Sequence, residues 1–270
     1  MEYVRQLWSR RHFILAFSQA KLMAQYGQAR LGQLWQVVTP LLNAVVYFLI
    51  FGLLLQGRGG MSTSEYIPFL VTGVFVFAFT QNSVLSGVKS ISGNLGLVRA
   101  LHFPRASLPI AFSLQQLQQL LFSMAVLLII MLGFQNWPMW SWVLVVPVLV
   151  LQLLFNSGLA LIMARLGSNT PDLAQLMPFV LRTWMYASGV MFPLRTMVED
   201  RANGPSWLAE VLAANPAAVY MDLMRYSLLD GSYRDSVPAS TWLWALGWAL
   251  AIGLGGFVFF WKAEERYGRG

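Results

Sequence analysis

The sequence contains no cysteine and only two histidines, His12 and His102. The absence of cysteine excludes disulfides and thiolate metal sites, and two histidines are too few for a typical histidine-based zinc site. Charged residues are also scarce, at 11% of the chain, whereas roughly 25% is usual in soluble domains. This composition excludes an ordinary soluble domain and gives no support to metal-dependent chemistry.

The sequence also lacks the motifs by which a chain binds nucleotides. None of Lys21, Lys89 and Lys262 is preceded by the glycines of a phosphate-binding P-loop. The glycines at 253–256 lie in an apolar run that follows no strand, so close helix packing explains them better than a dinucleotide site. The acidic pair at 199–200 falls in a loop, where solvated charge is the usual interpretation. We therefore predict a chain that is not an enzyme and holds no cofactor of its own.

Long apolar runs are the dominant positive feature, since 57% of the residues are hydrophobic and the mean hydropathy is +0.58. A helix needs about 20 mostly apolar residues to cross a hydrocarbon core of roughly 30 Å. Six stretches meet this requirement, at 34–55, 67–88, 108–134, 142–166, 173–193 and 242–261. We therefore predict an all-α integral membrane protein with six transmembrane helices.

No repeat or linker divides the chain, so we predict one transmembrane domain over 1–270. Its parts are an interface helix at 1–33, spans one to five at 34–193, external helices at 194–241, span six at 242–262 and a tail at 263–270. Of the 18 Lys and Arg, twelve fall on one side of the spans and five on the other, with Arg182 inside span five. The positive-inside rule then predicts that both termini lie in the cytoplasm. This orientation accounts for the net charge of +7, so no nucleic-acid partner is required to explain it.

The residues before the first span have the pattern of an amphipathic helix. Phe13, Phe17, Ala20 and Ala24 recur at helical spacing, with basic and amide side chains on the other faces. A helix that lies in the cytoplasmic interface fits this pattern. The alternative is a poorly ordered basic leader.

The connection between spans two and three combines basic and apolar residues. A short helix over 94–103 would place apolar side chains beside basic ones on the cytoplasmic face. The residues concerned are Leu97, Val98, Arg99, Leu101, His102 and Phe103. An exposed apolar surface of this kind indicates a partner protein. The alternative is an ordinary basic loop whose apolar residues contact lipid.

The longest connection, 194–241, is predicted to lie outside the cell and holds two apolar helical stretches, 207–213 and 217–229. Asn215-Pro216 separates the two stretches. Two short helices of this kind can return into the outer leaflet as a re-entrant hairpin when protein or water covers their ends. We therefore expect a gate-like element rather than a folded ectodomain.

Arg182 is the one charged residue near the middle of a predicted span. An unpaired charge there costs about 2.5–3.5 kcal/mol on insertion scales, so Arg182 should face a cavity, a partner helix or a re-entrant segment. Both a role in a transport pathway and a purely structural partnership fit this position. The span cores contain no Asp or Glu, which disfavours a proton-coupled carrier.

Tryptophans concentrate near the predicted span ends, as expected for interfacial anchors. Deeper rings offer flat surfaces over which the CH-rich faces of sugars can slide, although core packing or lipid contact is the alternative. The candidates for a substrate channel are Trp35 at an inner span end, the deeper Tyr47, Phe75, Phe79, Trp184 and Tyr186, and Arg182.

Five short motifs occur in a characteristic order along nearly the whole chain. They are Tyr26, Leu31-Gly32, Trp35 and Pro40; Phe103-Pro104-Arg105 with Leu108-Pro109; Arg182 followed by Ser-Gly-Val-Met-Phe-Pro at 188–193; Asn215-Pro216 followed by Arg225 and Gly231; and Phe-Trp-Lys-Ala-Glu-Glu-Arg-Tyr at 260–267. Their order and spacing resemble those of the membrane permeases of ABC exporters that move lipid-linked polysaccharides, such as O-antigen, capsule, teichoic-acid and mycobacterial galactan systems.

The resemblance implies a homodimer of six-span subunits joined to two copies of a separate ABC ATPase. That ATPase would bind ATP and Mg²⁺ and would receive the helix at 94–103, which agrees with the missing P-loop. The substrate would be a polyprenyl-linked polysaccharide that crosses the plasma membrane of a bacterium from the cytoplasm. The external gate would include Trp207, Asn215, Pro216, Tyr220 and Arg225.

One departure from the family pattern concerns the segment before Tyr26. Family members often carry a denser basic stretch there, whereas Ser18, Gln19, Gln25 and Gln28 occur in this chain. The departure weakens the expectation that this helix recognises a charged head group. Two alternatives to polysaccharide export remain, namely the same architecture carrying a drug or lipid, and a polytopic membrane enzyme without transport activity.

Overall fold

The computed structural model describes residues 2–27, 30–54, 61–101, 103–193, 211–212, 214–229 and 232–264. These residues form helices and short 3-10 or π turns, with no strand among them. The α-helices are α1 (Glu2–Ser9), α2 (Arg11–Tyr26), α3 (Trp35–Tyr47), α4 (Thr63–Lys89), α5 (Leu95–Ala100), α6 (Ser107–Gly133), α7 (Val145–Asn169), α8 (Leu173–Ala187), α9 (Pro216–Leu228), α10 (Ser232–Ser236) and α11 (Ser240–Trp261). A π-helical segment, Phe48–Leu54, continues α3, and a 3-10 turn, Trp140–Leu144, precedes α7.

Five helical segments are long and apolar enough to cross a membrane: Trp35–Leu54, Thr63–Lys89, Ser107–Gly133, Trp140–Asn169 and Ser240–Trp261. They correspond to predicted spans one to four and six, so the all-α membrane fold is confirmed. The prediction of six full-length spans is not. Helix α8, in the predicted fifth span, has 15 residues, and at about 1.5 Å per residue it reaches only about 22 Å.

Helix α4 is the central helix, in contact with α3, α6, α7, α8 and α9. Its first turn begins with a capping box, in which Ser62 N donates to Glu65 Oε2 at 2.9 Å and Glu65 N donates to Ser62 Oγ at 3.3 Å. Ser-x-x-Glu before an apolar run is the sequence signature of this arrangement. The cap fixes where the central helix begins.

Helices α4, α7 and α11 approach one another closely at glycines. A Cβ atom added to Gly158 of α7 would overlap the Ile252 carbonyl of α11, and one added to Gly167 would overlap the Val88 carbonyl of α4. Gly256 packs in turn on the backbone of Gly158. The predicted close packing of the glycines at 253–256 is confirmed for Gly253 and Gly256, whereas Gly255 faces open space.

The two described termini lie at the same end of the bundle. Tyr3 packs on Phe257 with ring centroids 5.9 Å apart, and its hydroxyl accepts a hydrogen bond from Ala106 N at 3.3 Å. We call this the basic end, because Lys89, Arg105, Arg165 and Lys262 all lie at helix ends here. Helix α2 is formed as predicted and packs against α6. Its placement in a lipid interface stays a prediction.

Candidate functional site

Helices α3 and α8 meet where the Tyr47 hydroxyl lies 3.7 Å from Met185 Sδ, and each helix has an exposed side. The exposed apolar residues are Leu42, Val45 and Val46 on α3, Leu49 on the π-helical segment that continues it, and Leu176, Phe179 and Val180 on α8. Among the described elements, none covers these side chains. We call this surface the α3–α8 face. An apolar area of this extent contacts lipid or a second protein.

Polar residues of the α3–α8 face lie around Tyr47. Arg182 and Tyr186 are both exposed on α8 and lie within electrostatic reach of Tyr47. No carboxylate in the described part of the chain pairs with Arg182. The exposed guanidinium of Arg182 therefore lies near two tyrosine side chains, on a helix that also exposes apolar residues.

The other channel candidates are divided between two environments. Trp35 is exposed at the start of α3, in helical register with Leu42. Phe75 and Phe79 are buried within the chain and line a polar cavity between α3, α4 and α6. Trp184 is half-buried and packs edge-on against Phe77, at 5.9 Å between ring centroids. The predicted channel residues thus do not form a single surface.

Helix α9, in the predicted gate, is almost wholly buried, and it contacts α4, α7, α11 and the turn before α7. It is the second half of the predicted re-entrant hairpin. The first half, including Trp207, falls outside the described residues except for 211–212. Ala214 O at the start of α9 accepts from Trp248 Nε1 at 2.8 Å, nine residues into α11. Ser227 O near its end accepts from Ser141 Oγ at 2.9 Å.

Asn215 connects the start of α9 to the end of α8. Its Oδ1 caps α9 by accepting from Ala217 N at 3.2 Å, with Pro216 at the first helical position. The same oxygen accepts from Trp184 Nε1 at 2.8 Å, and Nδ2 donates to Ser188 Oγ at 3.0 Å. One side chain therefore holds both helix ends, which explains the Asn-Pro pair seen in the sequence.

Arg225 is the largest fully buried side chain among the described residues, with 1% of its surface exposed. Its Nε donates to Phe69 O at 3.2 Å, Nη1 to Gly189 O at 3.2 Å and Nη2 to Val190 O at 3.0 Å. The guanidinium also lies 3.4 Å from the centre of the Phe69 ring. Arg225 thus joins α9 to α4 and to the segment after α8. We call Arg225 and these partners the arginine clamp.

Two glycines make room for the arginine clamp. A Cβ atom on Gly73 would overlap Arg225 Nη2, so an arginine of this conformation requires glycine at that position of α4. Gly189 has φ of +69°, a backbone conformation that other residues adopt only with strain. The turn at Gly189 ends α8 and aims two successive carbonyls at the guanidinium.

The charge of Arg225 is partly balanced by Asp222, whose Oδ1 lies 3.6 Å from Nη1. Tyr233 of α10 donates to the same carboxylate oxygen at 2.7 Å. Burial, followed by the nearby Asp222 carboxylate, raises the pKa of Tyr233. The phenol therefore stays protonated at neutral pH and acts as a donor.

Tyr220 fixes the middle of α9 to α11, since its buried hydroxyl donates to Ala245 O at 2.9 Å. The predicted gate residues Asn215, Pro216, Tyr220 and Arg225 therefore lie on one short helix that is anchored along its whole length. Helix α9 lies at the end of the bundle opposite the basic end, and its role as a gate stays a prediction.

The predicted coupling residues are less exposed than expected. The predicted helix 94–103 is shorter, at Leu95–Ala100, and Val98 is buried in a cluster that includes Phe260. Phe103 packs on Phe13 at 5.2 Å between ring centroids. Leu97 is half-buried, Arg99 is exposed, and His102 falls outside the described residues. The prediction of an exposed apolar surface is therefore wrong for Val98 and Phe103, because both side chains pack against the protein's own helices.

Leu101 is the member of this set that is strongly exposed and apolar, at 51% of its surface. It lines a groove of about 1060 Å³ at the basic end, together with Tyr3, Gln6, Arg10, Arg99, Phe103 and Trp261. Arg105 fixes one wall, because its backbone N donates to Glu264 Oε1 at 2.9 Å and its guanidinium donates to the Glu264 carbonyl. The groove combines cationic and apolar groups on a surface formed by both ends of the chain.

Comparison with known protein families agrees with this arrangement. The family model of the ABC-2 type transporter matches residues 12–229 of the chain. The chain belongs to this family. The matched region of the ABC-2 chain includes the α3–α8 face, the coupling segment and α9.

Several relatives of this ABC-2 chain have assigned names. The O-antigen export system permease protein RfbA of Myxococcus xanthus is 28% identical over 235 residues, which cover 87% of each chain. The polysialic acid transport protein KpsM of Escherichia coli is 21% identical over 80% of this chain and 81% of that protein. The inner membrane transport permease YadH of Escherichia coli K12 is 26% identical over 87% of this chain and 88% of that protein. The family resemblance inferred from the motifs is confirmed.

Sequence reasoning missed the partners of Arg225 in this ABC-2 permease. Asp222 is three residues before Arg225 on one helix, a spacing that could have indicated the pair. Gly73 is a glycine inside an apolar span, which signals close approach by another group. The polar cavity beside Phe75 was also missed, because its glutamines are far apart in the sequence.

Proposed function

We propose that this chain is the permease subunit of an ATP-driven exporter that moves a polyprenyl-linked polysaccharide from the cytoplasm across the plasma membrane. The single observation that carries the proposal is the α3–α8 face, where Arg182 and Tyr186 are exposed near Tyr47, on two helices that also expose apolar side chains. A charge facing lipid at membrane depth costs about 2.5–3.5 kcal/mol, so this face is better suited to a pathway than to lipid.

A second copy of the chain covers the α3–α8 face in this proposal. Two such faces opposed across a twofold axis enclose a path lined by arginine, tyrosine and aliphatic side chains. Phenol rings and a guanidinium offer hydrogen bonds and flat surfaces to sugar rings, without the carboxylates that would bind cations. The names of the RfbA and KpsM relatives support a polysaccharide as the substrate class.

A separate ATPase supplies the energy in this proposal, since the chain has no P-loop. In this proposal the ATPase docks in the groove around Leu101 at the basic end, and the excess of Lys and Arg supports a cytoplasmic position for that end. ATP and Mg²⁺ are bound by that partner, in two copies for the two permeases. Movement of the docked ATPases reaches α9 at the opposite end and opens the gate.

Depletion of the permease in its native cell tests the substrate class. We expect a lipid-linked glycan to accumulate on the cytoplasmic side of the plasma membrane, measured by lipid extraction and by labelling in sealed inside-out vesicles. Normal levels and normal surface display of every envelope glycan would disprove polysaccharide export.

Docking of the ATPase is tested with Leu101→Asp, using Val4→Asp as the matched control. Both residues are apolar and similarly exposed, at 51% and 55%, but Val4 of α1 does not line the groove. We expect Leu101→Asp to abolish co-purification of the ATPase and export, while Val4→Asp preserves both. Equal co-purification of the ATPase with both variants would remove the groove from the docking site.

A second candidate function is export of a lipid or another small amphiphile by the same architecture. The relative YadH favours it, because its name gives a transport permease without a polysaccharide substrate. Accumulation of an unglycosylated amphiphile after depletion, with glycans unchanged, would select this candidate.

A further inference from the structure

A polar cavity of about 510 Å³, open on one side, lies between α2, α3, α4 and α6 of one chain. Its polar lining residues are mostly amides and hydroxyls: Gln25, Gln36, Thr39, Asn43, Gln81, Asn82, Ser86, Gln116, Gln119 and Ser123. Phe75 and Phe79 line its deep end and Lys89 lies at its basic end. Along α4 these residues cover a depth of about 21 Å from Phe75 to Lys89. The volume falls within the range of roughly 300–1,000 Å³ of small-molecule sites.

The amides of this cavity have unused hydrogen-bonding capacity. Gln36 is 99% buried, since only 1% of its surface is exposed, and neither its Nε2 nor its Oε1 has a partner within the described structure. Gln119 Oε1 also lacks a partner among the described groups. Gln116, whose residue is 93% buried with 7% exposed, lines the same space. Buried polar groups are normally hydrogen-bonded, so these atoms indicate a polar occupant.

The chemistry of the lining defines that occupant. An amide offers two donors and an acceptor with two lone pairs, which matches hydroxyl groups that both donate and accept. A lipid chain would leave the amides unpaired at a cost for each one. None of the described residues that line the cavity is a carboxylate, so a cation has no counter-charge among them. Two phenylalanine rings beside the amides provide apolar surface for the CH groups of a sugar ring.

We propose that this cavity binds a sugar unit of the lipid-linked substrate, with the amides reading its hydroxyl groups and Lys89 lying next to the adjoining phosphate. A lysine ammonium at the open end suits a phosphate as a point charge. The inference rests on the proposed function and names the site where that function recognises the head of its substrate. The site lies within one subunit and is separate from the α3–α8 face.

The test is equilibrium binding to the purified permease in lipid nanodiscs, with two probes. One probe is farnesyl diphosphate that carries a single hexose, and the other is farnesyl diphosphate alone. We expect the unmodified chain to bind the hexose probe at least about tenfold more tightly than farnesyl diphosphate alone. The reason is that each hydrogen bond to a buried amide adds to the binding free energy. Equal binding of the two probes would overturn the proposal and leave a cavity that holds water only.

Gln119→Leu and Gln118→Leu form a matched pair on adjacent positions of α6. Both glutamines are half-buried and both Oε1 atoms lack a partner in the described structure, but only Gln119 lines the cavity. We expect Gln119→Leu and Gln36→Leu to reduce hexose-probe binding about tenfold each, without changing farnesyl diphosphate binding. Gln118→Leu should change neither. Equal effects of Gln119→Leu and Gln118→Leu on the hexose probe would contradict the assignment.

Thermal unfolding of the same nanodisc samples separates ligand binding from a structural role. Since Gln36 has no partner in the described structure, Gln36→Leu should leave the midpoint unchanged or raise it. A lowered midpoint together with equal loss of both probes would identify Gln36 as structural and would overturn the proposal.

The depletion experiment keeps failure of the function distinct from failure of this inference. Glycan accumulation after depletion, combined with no hexose preference in nanodiscs, would reject the cavity site alone. A hexose preference that is lost in Gln119→Leu supports the site even when depletion leaves polysaccharides unchanged, and in that case the polysaccharide export function is the part that fails.

Discussion

Two buried polar regions of this permease differ in how their polar atoms are partnered. The arginine clamp gives Arg225 three carbonyl acceptors, an aromatic ring and Asp222. In the polar cavity, Gln36 is as deeply buried as Arg225, but both of its polar atoms lack a partner in the described structure. A saturated cluster fixes the elements that it joins, whereas an unsaturated one keeps capacity for a ligand. We therefore expect opposite effects on stability. Removal of a polar side chain from the arginine clamp should lower the stability of the fold, whereas removal of Gln36 from the polar cavity should leave it unchanged or raise it.

Arg225→Met should have the largest effect on stability. Removal of the guanidinium leaves three buried carbonyls and the partly exposed Asp222 without this donor, at a cost of about 3–5 kcal/mol. Thermal or denaturant unfolding in detergent measures the loss. Arg234→Met is the control, since Arg234 contacts only the Tyr226 ring and Met139 among its recorded partners. A loss no larger than that of the control would show that the clamp does not hold α9.

Lysine should not replace Arg225. A lysine ammonium cannot reach three carbonyls in the fork geometry of a guanidinium. Arg225→Lys should therefore recover less than half of the unfolding free energy that is lost in Arg225→Met. The same unfolding measurement checks this. Full recovery with lysine would mean that the charge matters and the geometry does not.

Gly73→Ala should have an intermediate effect. The added Cβ overlaps Arg225 Nη2 and must displace the side chain, which costs about 1–3 kcal/mol as in other overpacked sites. Gly255→Ala is the control, because no atom lies within contact distance of a Cβ at that position and the helix gains from alanine. Equal midpoints for the two variants would place Arg225 in another conformation.

Gln152→Leu and Gln36→Leu should give the smallest effects, with opposite directions. Gln152 Nε2 donates to Val76 O and to Thr80 Oγ1, each at 3.1 Å, and thereby joins α7 to α4, while its Oε1 has no partner in the described structure. Interhelical hydrogen bonds in membranes are worth about 0.6 kcal/mol on average, so Gln152→Leu should destabilise slightly. Gln36→Leu should be neutral or stabilising. Destabilisation by both variants would remove the contrast between partnered and unpartnered amides.

Hydropathy predicted the five long apolar helices because a helix that crosses lipid must be apolar along its whole length. It could not predict that α8 ends at Ala187, since 173–193 is apolar enough on average to read as one continuous span. That end is set by the Gly189 turn and by Arg225, 35 residues after Val190 and 156 residues after Phe69. Contacts of that separation leave no local pattern in the sequence.

The site was predicted in part for the same reason. Asn215-Pro216 was recognised because a break between two apolar stretches is a local signal, and Arg225 was included only through the resemblance to the family. The polar cavity forms because α3, α4 and α6 are rotated about their axes so that Gln36, Asn82 and Gln119 line the same space. Sequence patterns do not show these rotations. Val98 and Phe103 were expected to be exposed because the sequence does not show that α2 and α11 cover them.

The glycine contacts at Gly158, Gly167 and Gly256 have a mechanical consequence. Where backbones touch directly, no layer of side chains is left to slide or repack, so α4, α7 and α11 have to travel together. In the proposed dimer, widening between the two copies would then fall to the outer helices α3 and α8, which would tilt against that block.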